Sequence, residues 1–329
     1  MADVAKRAGV SVSTVSHVLN KTRTVTPTTI RAVEEAIAEL GFTPNILARS
    51  LVRSSTNAIG VALSAFTNIY FGEVVRGIQS ECGRERLMMF FADTADDPDI
   101  QFEVVRELHQ RRVDGMILAP VPDREDRTLT YVKRHRIPVV FVDRWIEGPF
   151  DQVVVENRKP MKELVAHLVG HGHRRIALIS GLDGLSTTIE RVEGYAAGLA
   201  EAGLLLDRSL IEDGSSDAET ARSAVHRLFA KSQPPTAIIT ANNKMTIGAM
   251  QALRELGQRV PEDIALAGFD DFEWADSFEP RLTVIAQPCH AMGVRAVKML
   301  VKRVKDGDRK GRLTRLNPEL KIRNSCGCH

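Results

Sequence analysis

Nine residues stand where a chain of this kind presents ligand-binding chemistry. Asn68, Tyr70, Phe71, Asp143, Arg144, Asn242, Asp270 and Gln287 follow closely on short apolar runs, and Arg191 opens the stretch RVEGY. Carboxylates and amides pair with adjacent hydroxyls, arginines donate to ring and hydroxyl oxygens, and aromatic rings stack on apolar C–H faces, so the set suits a polyol. It contains no nucleophile–base pair, so no enzyme and no cofactor are expected. A single Asp or Asn after a strand is more often a helix cap than a ligand, and Asp271 and Asn243 are read as caps. The neighbours Asp270 and Asp271 lack a third carboxylate at matching spacing, which argues against a hard-metal site. A second group, Val12, Ser13, Ser16 and His17, combines small polar side chains with one longer donor and suits a groove.

These residues need elements to hold them. Apolar runs at Ile59–Ala65, Leu87–Ala92, Gly115–Ala119, Val139–Val142, Arg175–Ser180, Ala237–Thr240, Ile264–Gly268 and Thr283–Ile285 read as strands. The amphipathic stretches Phe71–Arg86, Ile100–Arg112, Arg158–Gly170, Ile189–Ala202, Asp217–Ala230, Asn243–Leu256 and Cys289–Lys305 read as helices. Such alternation predicts doubly wound parallel sheets covered on both faces, and the length favours two of them. Open parallel sheets bind ligands beyond the carboxyl ends of their strands, where the polar set lies.

The N-terminus is organised differently. Val4, Ala5 and Ala8 form one apolar edge, and Val10, Val15, Val18 and Leu19 form a second beyond the turn at Gly9. Ser11 is placed to cap the second helix, leaving Val12, Ser13, Ser16 and His17 exposed. Thr26 as cap, Pro27 at the first position, the spacing of Ile30, Val33, Ile37 and Leu40, and Gly41 beyond the end predict a third helix. Together these make an all-α helix-turn-helix unit.

Composition bounds the function classes. The chain has 329 residues, 43% hydrophobic and 26% charged, a globular balance with no apolar window long enough to span a membrane. No secretory leader pattern opens it, so a cytoplasmic protein is expected. Four scattered cysteines, Cys82, Cys289, Cys326 and Cys328, suggest neither a disulfide framework nor structural metal. His171, His173, Arg174 and Arg175 read as residues favourable to a helix C-terminus, and Cys326–His329 as an inert tail. Residues 1–57 hold seven Lys/Arg against four acids, whereas the rest carries one more acid than base. The basic excess at the front suits a module that meets phosphates.

The run DVAKRAGVSVSTVSHVLN from Asp3, together with GFTPNILARSL ending at Leu51, resembles the headpiece of LacI/GalR-type bacterial transcription regulators. That resemblance implies that the second helix enters the major groove, with Val12, Ser13 and His17 facing base edges. His17 can donate to a guanine acceptor, and Val12 can meet a thymine methyl. Thr14, Ser16, Asn20, Lys21 and Thr22 would hold phosphates. Pro44–Ser50 resembles the family's hinge helix. By positional match Asn45, Ala48 and Arg49 contact DNA, and Leu51 wedges into the minor groove. The family usually has a Thr-Ile pair before the position of Asp3. Met1-Ala2 stands there instead, so either the start lies upstream or the first helix lacks its cap.

The remaining chain is similar to periplasmic sugar-binding proteins, most clearly at FTNIYF, VDR, ERVEGY, TANNKMTIGAM, AGFDD and TVIAQP. In pentose binders of that group, the positions of Asn68, Tyr70, Asp143, Arg144, Arg191, Asp270 and Gln287 contact the sugar. Purine-binding members need an arginine where this chain has Leu185, and an aromatic found near Ser215–Ser216 in several members is missing. The resemblance therefore implies a ribose-like effector. The implied domains are 1–46 for the headpiece, 47–57 for the hinge and 58–329 for the core. The core's first subdomain takes about 58–156 and 288–316, and its second about 157–287 and 317–329.

The expected function is a repressor, controlled by a sugar, that binds a pseudo-palindromic double-stranded operator as a homodimer and has no membrane association. One headpiece buries too little area to select a genomic site. The family dimerises through the first subdomain, near Phe71–Arg86 and Met88–Phe91. The alternative is a sugar-metabolising enzyme on a doubly wound fold. It would need a glycine fingerprint or phosphate loop where the chain has Ser64-Ala65-Phe66-Thr67. A secreted transport receptor would fit the body but has no use for the headpiece.

Overall fold

The computed structural model describes residues 1–20, 22–42, 55–64, 68–307 and 310–328. These divide into two compact units, Met1–Thr56 and Asn57–His329. The expected hinge residues Asn45, Ala48, Arg49 and Leu51, and the phosphate contact Lys21, lie outside the described residues.

The first unit has three helices, α1 (Ala2–Ala8), α2 (Val12–Asn20) and α3 (Pro27–Glu39). Gly9 ends α1 at φ 66°, a left-handed turn that a residue with a side chain seldom adopts. The backbone N–H of Thr14 donates to Ser11 Oγ at 3.1 Å, and that of Thr29 to Thr26 Oγ1 at 3.4 Å. Met1 stands at the cap of α1 without a side-chain bond. Val4, Ala5, Val15, Val33 and Ala36 make the core. Leu40, expected on the apolar face of α3, is instead exposed, because α3 ends one residue earlier and turns through Leu40.

The second unit opens with β1 (Ala58–Leu63), α4 (Ile69–Glu85), β2 (Met88–Asp93), α5 (Pro98–Gln110), β3 (Gly115–Leu118), α6 (Arg127–Arg134), β4 (Val139–Asp143) and β5 (Asp151–Val155). It continues through α7 (Arg158–Gly170), β6 (Ile176–Ser180), α8 (Ser186–Glu201), β7 (Ile211–Asp213), α9 (Ala218–Phe229), β8 (Ala237–Thr240), α10 (Asn243–Glu255), β9 (Ala265–Phe269) and β10 (Thr283–Ala286). It closes with α11 (Cys289–Asp306), β11 (Leu313–Leu316) and β12 (Glu319–Lys321). One sheet runs β11-β5-β4-β3-β1-β2 and the other β12-β10-β9-β8-β6-β7. The described pairings are parallel except for β12, which runs antiparallel to β10, so the second sheet is not wholly parallel as expected.

The chain passes between the sheets after β5, after β10 and between β11 and β12. Burial explains the sequence pattern, since β1, β3, β4 and β9 are buried along their whole length and read as unbroken apolar runs, save for Asp143 at the end of β4. In the first sheet α4 and α11 cross closely. A Cβ on Gly77 would lie 2.2 Å from the His290 carbonyl oxygen, and one on Gly293 2.2 Å from that of Val74. Strands β5, β7, β11 and β12 and helix α6 were not anticipated from the sequence. Among the described residues no helix is long and apolar enough to cross a membrane.

Candidate functional site

The strand ends of both sheets converge on one cleft, part of it open to solvent. All nine candidate residues line it: Asn68, Tyr70, Phe71, Asp143, Arg144, Arg191, Asn242, Asp270 and Gln287. Five others share the lining, namely Asp96, Leu185, Thr187, Ser216 and Lys244. Asn68 caps α4, its Oδ1 accepting from the Tyr70 backbone N–H at 3.1 Å, and so sets the start of the helix that carries Tyr70 and Phe71. Asp143 ends β4, Asp270 follows β9, Gln287 follows β10, and Arg191 comes from α8.

Each aspartate is held by donors. The Tyr70 hydroxyl donates to Asp143 Oδ1 at 2.7 Å, and Arg144 Nε lies 3.5 Å from Asp143 Oδ2. Arg144 also pairs with Asp96 at 2.7 Å and donates to the Pro120 carbonyl at 3.2 Å. Gln287 Nε2 donates to Asp270 Oδ1 at 2.5 Å, and the Asn243 backbone N–H donates to Oδ2 at 3.2 Å. Arg191 donates from Nε to Asn157 Oδ1 at 2.9 Å and from Nη1 to the Ala241 carbonyl, with its guanidinium 3.7 Å from the centre of the Phe269 ring.

Burial pushes both carboxyls above the usual aspartate range. For Asp143 the charges of Arg144 and Arg191 oppose the rise, and for Asp270 the charge of Arg191 and the Gln287 bond do so. Burial, and then the Asp143 charge, raise the Tyr70 hydroxyl well above its ordinary value, so it stays a protonated donor. With guanidinium groups beside both carboxylates, the cleft suits hydroxyl-bearing ligands better than a hard cation.

Two cap assignments from the sequence change. The residue capping α10 is Asn242, whose Oδ1 accepts from the Met245 backbone N–H at 2.8 Å. Asn243 is the first helical residue and turns its backbone N–H to Asp270. Asp271 anchors the C-terminal segment, accepting from Arg323 Nη1 and Nη2 at 3.0 Å each and from Lys321 Nζ at 2.7 Å.

Behind the cleft lies a network that sequence reasoning missed. Glu190 accepts from Arg315 at 2.8 Å, Arg158 at 2.7 Å and Asn157 Nδ2 at 2.9 Å, and Asn157 in turn holds Arg191. Asn157 and Arg158 sit at the first crossing between sheets and Arg315 on β11, so the network joins the two lobes. No local pattern marks it, because its members are far apart in the chain. Among the missed lining residues, Asp96 follows β2, and a strand-end search extended to that run would have found it. At the cleft's margin the Trp145 backbone N–H donates to Ser186 Oγ at 2.8 Å, a second link between the lobes.

In the first unit, Val15 faces the core, while Val12, Ser13 and Thr22 are exposed and Thr14, Ser16, His17 and Asn20 half-buried. His17 Nδ1 bonds Thr22 Oγ1 at 2.8 Å, which orients the ring and leaves Nε2 for another partner. Asn20 Nδ2 donates to Ser16 Oγ at 3.2 Å.

Residues 1–45 match the lacI family of bacterial regulatory proteins, and residues 165–326 match a periplasmic binding protein-like domain. The HTH-type transcriptional repressor PurR of Vibrio atlanticus is 35% identical over 98% of this chain and 97% of its own. A lac repressor dimer bound to operator and the anti-inducer ONPF superposes with TM-score 0.88 at 28% identity, over 98% of each chain. A Burkholderia thailandensis protein described as a ribose operon repressor superposes with TM-score 0.73 at 31% identity, over 80% of this chain and 98% of that one. With a helix-turn-helix unit, paired sheets of the periplasmic-binding type and relatives that regulate transcription rather than catalyse reactions, this chain belongs to the LacI family of bacterial transcriptional repressors.

Proposed function

We propose that this protein is a cytoplasmic homodimeric repressor whose hold on its operator is set by a ribose-like pentose or related monosaccharide bound between the two lobes. The observation that carries the sugar assignment is the pair of buried carboxylates, Asp143 and Asp270, set around Arg191. Carboxylate acceptors and guanidinium and amide donors share the lining of the cleft, as adjacent hydroxyls require. Gln287 Oε1 is buried without a hydrogen-bond partner among the described residues, which leaves an acceptor for a ligand. The similarity to a protein described as a ribose operon repressor supports the same reading.

A purine corepressor is the second reading, and the 35% identity to the HTH-type transcriptional repressor PurR is the observation that keeps it open. Against it, Leu185 lines the cleft where purine-binding members place an arginine, and Ser216 lines it in the region where several members carry an aromatic.

In this proposal α2 reads the major groove through Val12, Ser13 and His17. Thr14, Ser16, Asn20, Lys21 and Thr22 hold the backbone, and Asn45, Ala48, Arg49 and Leu51 serve at the hinge. Two chains pair through the first sheet's edge, where β2 exposes Met88 at 63% and Phe90 at 42%. Ligand closes the lobes and shifts the paired sheets, and with them the hinge segments. Coupling is reciprocal, so a sugar that weakens operator binding is itself held more weakly on DNA. The test is a thermal-shift panel of pentoses, hexoses, their phosphates and purines. A selective rise with ribose or a close aldose supports the assignment, and a rise with purines alone transfers it to the second reading.

A further inference from the structure

Far from the cleft between the lobes, two imidazoles and two thiols gather at one end of the second lobe. His167 lies in the last turn of α7, and His171 follows it by four positions, on the same helix face. Cys326 and Cys328 come from the C-terminal segment, more than 150 positions away. His167 Nε2 is 3.3 Å from Cys326 Sγ and 3.4 Å from Cys328 Sγ. His171 Nε2 is 3.2 Å from Cys328 Sγ, and the two sulfurs are 2.9 Å apart as free thiols. We propose that His167, His171, Cys326 and Cys328 form a binding site for a zinc-type transition-metal ion that ties the C-terminal segment to α7.

The distances fit such an ion. With bonds of about 2.05 Å to nitrogen and about 2.3 Å to sulfur, a tetrahedron places N and S about 3.5 Å apart and two S atoms about 3.8 Å apart. The three short N···S separations lie within a few tenths of that edge; His167, His171 and Cys328 already surround one point, and to complete the tetrahedron Cys326 Sγ must part from Cys328 Sγ by about 0.9 Å and close on His171. Gly327, at φ 84°, lets the chain turn so that cysteines two apart face the same point. Cys326 is 1% exposed, while His171 is exposed, so one side is anchored in protein and the other is open for an ion to enter. Two imidazoles and two thiolates select a borderline-soft cation over magnesium or calcium.

The site also has a structural consequence. The segment carrying Cys326 packs against the second sheet through Ser325, whose Oγ donates to the Leu266 carbonyl at 2.6 Å, and through Arg323 on Asp271. An ion would lock that segment to α7 across a long loop and stabilise the folded state in proportion to its binding.

The full-length protein, stripped with chelator under reductant, tests this by titration with Co²⁺ and Zn²⁺. One equivalent of Co²⁺ should give tetrahedral d–d bands with a thiolate charge-transfer band, displaced by Zn²⁺, and Zn²⁺ should raise the melting temperature. In metal sites, loss of a ligand's hydrogen-bond partner alone costs about 10–100-fold in affinity, so His171→Ala and Cys328→Ser should each weaken binding by at least that much. His173→Ala should bind normally, because His173 faces Thr236 instead. Absence of a stoichiometric thiolate–cobalt spectrum in the wild type, or its persistence in both His171→Ala and Cys328→Ser, overturns the proposal.

Discussion

Asp143 and Asp270 occupy the same place in two different sheets. Each stands at the carboxyl end of the third strand from its sheet's edge, β4 counted from β11 and β9 counted from β12. Both adopt the left-handed backbone region, at φ 67° and 76°, where aspartate is one of the few residues with a side chain to be tolerated. Both feel the charge of Arg191, whose own hydrogen bonds go to Asn157 and the Ala241 carbonyl.

This arrangement makes Arg191 the side chain on which ligand response should depend most. Arg191→Ala leaves two buried carboxylates without their shared cation, and Asp270→Ala removes the acceptor that Gln287 and the Asn243 backbone address. If the proposed sugar assignment holds, both variants should lose the sugar response in calorimetry while operator binding, measured by fluorescence anisotropy, persists. Normal sugar affinity in Arg191→Ala would remove the basis for the cleft assignment.

The Glu190 network should appear as acid sensitivity. Burial would raise its carboxyl, but the bonds from Arg315 and Asn157 outweigh that and hold it below the ordinary glutamate value of 4.5. The resulting stability is fully present above that value and is lost as pH falls through the lower, folded-state one. Glu190→Gln should therefore cost about 2 kcal/mol near pH 7, a figure reduced by the partial exposure of its arginine partners. The difference from wild type in urea unfolding should shrink as pH drops below the glutamate range. A constant difference across that range would show that charge is not the cause.

Operator recognition should separate from ligand binding. His17→Ala should cost about 1–3 kcal/mol on the preferred site and relax selection at one base pair per half-site. Leu51→Ala should remove tight operator binding and leave the affinity of the cleft for its ligand intact. Binding-site selection on randomised duplexes checks the first, and paired anisotropy and calorimetry check the second.

The exposed apolar edge of β2 makes its own prediction. Met88→Asp together with Phe90→Asp should shift the protein to monomer in sedimentation and weaken operator binding, while the monomer keeps its sugar affinity. A dimer that survives both changes places the interface elsewhere.

The sequence by itself determined the helix-turn-helix unit and most of the two-sheet body. Caps such as Ser11 and Thr26 act locally, and strands buried on both faces must be apolar whatever surrounds them. It also determined which residues end those strands, and with them eight of the fourteen positions that line the cleft. Tertiary structure decided the remainder. Strand β5 begins with Asp151 and Gln152, polar residues that are buried because Arg303, the Arg312 backbone and Ile146 satisfy them, so its pattern does not announce a strand. Strands β7, β11 and β12 are short, partly exposed edges whose extended form comes from the neighbour they pair with. The Asp143–Arg191–Asp270 arrangement, the Glu190 network and the His167–Cys328 cluster all join residues distant in the chain. Each segment carries only one part of such a group, and the packing of two sheets brings the parts together.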